Sequence, residues 1–239
     1  IAVTIGEPSG IGPEVILKAW DKRSENSINP FFVIGSAIIL KKQAENFGLN
    51  IPISIITSPH QARTLFKKSL PVFDFDCAVN FKFGHTKTET APMVLVASDK
   101  AVEFITNGSA CAMVTSPIHK ASLYGAGFKS PGHTEYLAAL SKKYTGKNYQ
   151  PVMMLASDEL RVVPVTIHVA LSEVPAILDQ KLLKSTIQTV YESLKKNFDI
   201  SFPRIAVAGL NHHAGEDNSM GTEDSNIIAP VIDIFKKKK

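Results

Sequence analysis

The sequence predicts an α/β fold with helices on both faces of a largely parallel sheet. Three observations carry this. Short, continuous apolar runs recur along the chain: 1–5 (IAVTI), 31–35 (FFVIG), 51–57 (IPISIIT), 110–115 (ACAMVT), 151–156 (PVMMLA), 162–168 (VVPVTIH) and 204–210 (RIAVAGL). Strands buried on both faces read as unbroken apolar runs rather than as alternation. Stretches with helical apolar spacing lie between many of them, and a glycine-rich turn leads from the first run into the first helix.

The elements follow in order. Residues 1–5 form a buried strand, and residues 6–12 a turn with glycines at 6, 10 and 12. Pro13 suits a helix's first turn, where its missing N–H costs nothing, and EVILKAW continues the helix. After the strand at 31–35, Ser36 caps the helix AIILKKQAENFG, and 51–57 repeats the strand signal. Residues 60–90 match neither period and receive no assignment. Residues 94–107 read as an amphipathic helix stopped by Gly108, followed by a strand at 110–115 ending in Ser116-Pro117. Two strands at 151–156 and 162–168 flank a turn at 157–159. Helical patterning fills 172–197, a buried strand spans 204–210, and 211–222 is a polar loop.

With 239 residues, 44% hydrophobic and 20% charged, the chain can bury a sizeable core, as one large domain or as two α/β lobes whose boundary the sequence does not mark. The net charge is +4, and four positive charges belong to the terminal run 236–239, so the body is near neutral. That argues against a nucleic-acid partner, which calls for a basic face within the fold. No stretch approaches 18 apolar residues and no signal segment opens the chain, so neither a membrane span nor export is expected. Cys77 and Cys111 sit in apolar stretches without metal spacing; reduced, buried thiols and a cytoplasmic location are expected.

In open α/β sheets, ligands bind beyond the carboxyl ends of the strands. That rule selects four loops: 6–12, 116–120, 168–171 and 211–222. The first, within GEPSGIGPE, is neither G-x-G-x-x-G nor a P-loop. It suits an anion at a helix start and equally a tight structural turn. Lys120, in TSPIHK, could neutralise an anionic group or transfer a proton; spacing alone favours a solvated helix-start lysine. His133 and Thr134 open a helix after Gly132, a place that suits an anionic ligand or ordinary capping by Thr134. His168 and His213 follow the runs 162–168 and 204–210 and could share one metal ion, although a lone strand-end histidine is more often structural. No third ligand is evident.

Taken together, GEPSGIGPE, VTSPIHK, GHTEYLA, VMMLASDELRVVPVTIH and GLNHHAGEDNSMGTED resemble, in order and spacing, the 4-hydroxythreonine-4-phosphate dehydrogenase family. The resemblance runs from residue 1 to about 230. It implies the isocitrate/isopropylmalate dehydrogenase type of fold in α/β/α layers, a homodimer, and a divalent metal (Zn, Mg, Mn or Co) held by three histidines drawn from both subunits. Two of these fall on His168 and His213, and the substrate-binding His-Thr pair falls on His133 and Thr134. The third metal histidine, further substrate residues and most of a C-terminal segment that helps bind NAD lie, in the family, beyond the point where this sequence ends, so the chain reads as incomplete. Glu7 stands where the family usually has Asp.

The implied reaction is oxidation of the C3 hydroxyl of 4-phosphohydroxy-L-threonine by NAD or NADP, then loss of carbon dioxide to give 3-amino-1-hydroxyacetone 1-phosphate, a step towards pyridoxal phosphate. Lys120 is the candidate for proton transfer. Two other readings remain: a paralogue oxidising D-threonate or D-erythronate 4-phosphate, and a non-catalytic binder of phosphorylated metabolites.

Overall fold

The computed structural model describes residues 1–75, 81–130 and 132–237. The chain divides into two compact units, Ile1–Tyr149 and Gln150–Lys239.

The first unit is built on a five-stranded parallel sheet with strand order β3-β4-β2-β1-β5. Its strands are β1 (Ala2–Thr4), β2 (Phe32–Gly35), β3 (Ile53–Ile56), β4 (Leu70–Asp74) and β5 (Met113–Thr115). Val3 lies in register with Val33 on one side and Val114 on the other. Successive strand residues point to opposite faces, and two core clusters follow that period. On one face Val3, Val33, Leu70 and Val72 meet helices α1 (Gly12–Asp21) and α2 (Ala37–Asn46) through Ile16, Leu17 and Leu40. On the other, Ala2, Phe32, Ile34 and Ile56 meet α4 (Ala91–Thr106) through Ala97, Ala101 and Phe104. The result is the expected α/β/α layering.

Local chemistry sets the helix starts. Pro13 lies in the first turn of α1. The Ser36 side chain accepts the Ile39 N–H at 3.4 Å, capping α2. The unassigned stretch holds α3 (Gln61–Leu65), β4 and a 3-10 turn over Thr88–Thr90. β4 escapes the sequence reading because Pro71 and Asp74 argue against an interior strand, yet it lies between β3 and β2. Asp74 is used at the strand's end, where Oδ1 accepts the Ala37 N–H at 2.7 Å. The unit continues through α5 (Lys120–Gly125) and α6 (His133–Thr145).

The second unit departs from expectation. Its ladder is a two-residue antiparallel pair, β6 (Leu155–Ala156) with β7 (Arg161–Val162), closed by the Ser157 N–H donating to the Leu160 carbonyl at 2.8 Å. Of the strands expected over 151–156 and 162–168, only Leu155, Ala156 and Val162 lie in a ladder. The buried strand expected over 204–210 is not formed, and Arg204, Ile205 and Ala206 are exposed. A strand needs a partner for its N–H and C=O groups, and among the described residues these runs have no longer ladder. The helical stretch 172–197 is also broken: α7 (Val174–Ile177) ends at Leu178, and Asp179 starts α8 (Gln180–Asn197) by accepting the Leu182 N–H at 2.6 Å. A π-helical turn over Asp224–Ile228 runs into α9 (Ala229–Lys236). Leu183, Ile228 and Val231 form a small core, and an apolar cleft of about 750 Å³ lies among Leu160, Val163, Ile187, Val190 and Val207.

Cys111 corrects another expectation: it is a free thiol but exposed, because it precedes β5 rather than lying within it. Cys77 lies outside the described residues.

Candidate functional site

β1 and β5 are adjacent parallel strands, so the loops following Thr4 and Thr115 leave the sheet side by side. The helix after β1 packs on one face and the helix before β5 on the other. Their crevice is therefore a topological switch point, where open α/β sheets bind ligands. The two loops touch. The Glu7 N–H donates to the Pro117 carbonyl at 2.9 Å. Gly6 has φ +71°, and a Cβ there would lie 2.5 Å from the Pro117 oxygen, so position 6 requires glycine both for its conformation and for this approach.

Glu7 is buried behind this rim. Its Oε1 accepts the Ser9 N–H at 3.0 Å and its Oε2 lies 2.8 Å from the Thr90 hydroxyl oxygen. That hydroxyl is also 2.7 Å from the Lys87 carbonyl oxygen, so one proton faces two acceptors. The importance of Thr90 was not legible, because it lies in the unassigned stretch. Lys120 is exposed at the first position of α5. The helix cap before it is His119, whose Nδ1 accepts the Ser122 N–H at 3.3 Å and pairs with the Ser122 hydroxyl at 2.8 Å.

His133 and Thr134 open α6 as expected, but the cap residue is Gly132 and no side chain caps the helix. Capping by Thr134 is therefore not its role, and Thr134 is exposed. The His133 Nε2 is buried without a hydrogen-bond partner among the described residues. Burial holds the His133 pKa below its ordinary 6.5, so the ring is neutral at physiological pH. A neutral, unpartnered ring nitrogen is a group ready to take a ligand's hydrogen bond. The far end of α6 is fastened to α4: Lys143 Nζ lies 2.8 Å from Asp99 Oδ1, and the Tyr144 hydroxyl bonds the other oxygen. Burial pushes the Asp99 carboxyl up, but these donors hold it below its usual value.

In the second unit, His168 and His213 are exposed, and neither follows a formed strand of the expected length. His168 has φ +57°, and residues 214–218 all have positive φ, so left-handed backbone gathers in the two histidine loops. Such strain is often found at functional sites. The second loop is closed by Asn211, which accepts the His213 N–H at 2.9 Å and donates to the Met220 carbonyl at 2.9 Å. The His213 Nδ1 lies 3.4 Å from a Glu216 carboxylate oxygen. A carboxylate behind one imidazole nitrogen is the usual support of a metal-binding histidine. Imidazole donors of this kind suit a divalent cation, and among the described residues no third ligand is assembled with them.

The fold and its rim define a layered α/β protein with a ligand crevice at the end of a parallel sheet. The family model described as pyridoxal phosphate biosynthetic protein PdxA matches residues 27–239. A 4-hydroxythreonine-4-phosphate dehydrogenase of Methylorubrum extorquens is 40% identical over 240 residues, covering 100% of this chain and 68% of that protein. One from Bradyrhizobium diazoefficiens is 42% identical, covering 97% and 69%. The crystal structure of the Klebsiella pneumoniae 4-hydroxythreonine-4-phosphate dehydrogenase superposes with a TM-score of 0.86 at 29% identity, over 99% of this chain and 71% of that one. The chain belongs to the PdxA family, and it spans about two thirds of the length of these relatives. No helix among the described residues is long and apolar enough to cross a membrane.

Proposed function

We propose that the protein is an NAD-dependent 4-hydroxythreonine-4-phosphate dehydrogenase, oxidising and decarboxylating 4-phosphohydroxy-L-threonine. The observation that carries this reading is the family match over residues 27–239, joined to relatives of that name at about 40% identity. Hydride leaves C3 of the substrate for the nicotinamide, the hydroxyl proton is released, and the resulting β-keto acid loses carbon dioxide.

The residues take these roles. The unpartnered His133 Nε2 and the exposed Thr134 hydroxyl bind the substrate. Lys120 holds an anionic group and is the candidate for proton transfer. His168 and His213 hold a divalent cation, with Glu216 orienting the second ring. Bound there, the cation supplies positive charge against the developing alkoxide oxygen. The functional form is a cytoplasmic homodimer.

The test is turnover of the purified protein with NAD or NADP, a divalent metal and each candidate substrate. NADH formation with matching release of carbon dioxide from 4-phosphohydroxy-L-threonine is expected. Faster turnover of D-threonate or D-erythronate 4-phosphate would move the protein to the paralogous activity. Tight binding of these compounds without NADH formation would make it a binder.

A further inference from the structure

Glu7 is 3% exposed, yet among the described residues it joins no ion pair. Its partners are neutral: the Ser9 amide at one oxygen and the Thr90 hydroxyl at the other. Its own N–H holds Pro117, and the Ser9 carbonyl accepts the Gly84 N–H at 2.8 Å. Glu7 thus joins the loop after β1, the loop after β5 and the start of α4, and Ser9, which it holds, joins the turn at 82–85.

We propose that Glu7 and Thr90 form a positioning tie that acts through hydrogen-bond geometry rather than charge and fixes the loop leading to Lys120. The consequence for catalysis rests on the dehydrogenase reading. The bonding pattern separates geometry from charge. A glutamine at position 7 accepts the Ser9 N–H through its carbonyl oxygen and donates its amide to Thr90 Oγ1. The Thr90 proton is then free for the Lys87 carbonyl. Glutamine therefore preserves the tie while removing the charge. A valine at position 90 preserves the volume and removes the tie.

The experiment is backbone hydrogen exchange on the full chain, read at the residue 7 amide, which donates to Pro117. The neighbouring Ile5 amide, which donates to Ile34 at 3.1 Å, is the control. Thr90→Val should speed exchange at residue 7 about tenfold, the scale of one lost hydrogen bond, with Ile5 unchanged. Thr90→Ser and Glu7→Gln should stay within about twofold of wild type. Equal acceleration in Glu7→Gln would mean that charge, not geometry, makes the tie, and no acceleration in Thr90→Val would mean that there is none. In steady-state kinetics Thr90→Val should lower kcat about tenfold with KM nearly constant, and Thr90→Ser should restore it. An unchanged kcat beside accelerated exchange would overturn the link to Lys120. If no substrate turns over, the dehydrogenase reading and the link to Lys120 fall together, and the exchange data still decide the tie.

Discussion

The two units differ in how they use apolar sequence. In the first, FVIG of β2 lies between β1 and β4, and Val33 and Ile34 are fully buried. In the second, the apolar stretch of RIAVAGL stays outside any ladder, and Ile205 is 36% exposed. The difference teaches that an apolar β-branched run specifies a strand only where neighbours accept its backbone groups. Side-chain burial then follows from the ladder, since a strand without one has no sheet face to cover.

That contrast can be broken or sharpened by mutation, beginning with the largest expected effect. His213→Ala should lower turnover about a thousandfold, since charge stabilisation by a metal is worth several kcal/mol. Metal titration of the variant checks the cause, and unaltered metal affinity would remove His213 from the site. Leu40→Ala, at a fully buried position of the first unit, should destabilise that unit by about 2–5 kcal/mol. Val207→Ala, at a partly buried position beside the cleft, should cost under about 1 kcal/mol. Urea denaturation followed separately in each unit tests the pair, and equal losses would erase the contrast. Glu216→Gln should weaken metal binding about tenfold while leaving the fold intact.

A smaller effect concerns pH. The folded pKa of His133 is depressed by burial, so the unfolded chain takes up that proton first as pH falls. The stability from His133 is therefore complete above about 6.5 and is lost as pH drops below that value through the folded pKa. His133→Gln should flatten the fall in stability between neutral and mildly acidic pH. An unchanged slope would show that the ring is not held neutral by burial.

Much of the first unit was legible because local signals and tertiary context agree there. Pro13 and Ser36 stand at the helix starts their chemistry dictates, and the runs at 1–5, 31–35 and 51–57 contain β1, β2 and β3. β4 was not legible, because Pro71 masks a strand that tertiary pairing nonetheless forms. At the site, individual residue types pointed to His133 and Thr134 at a helix start, which α6 provides. The tie between Glu7 and Thr90 spans 83 positions and has no local signature. The histidine loops were expected after formed strands; the residues are present, but among the described residues the strands that would aim them are not.

The most direct measurement of this account is residue-resolved hydrogen exchange across both units of the unmodified protein. The amides of β2 should be protected by orders of magnitude, because ladder and burial must both open before exchange. Those of residues 205–208, which make no ladder among the described residues, should exchange nearly as fast as an unstructured chain. Protection at 205–208 matching that of β2 would contradict the account.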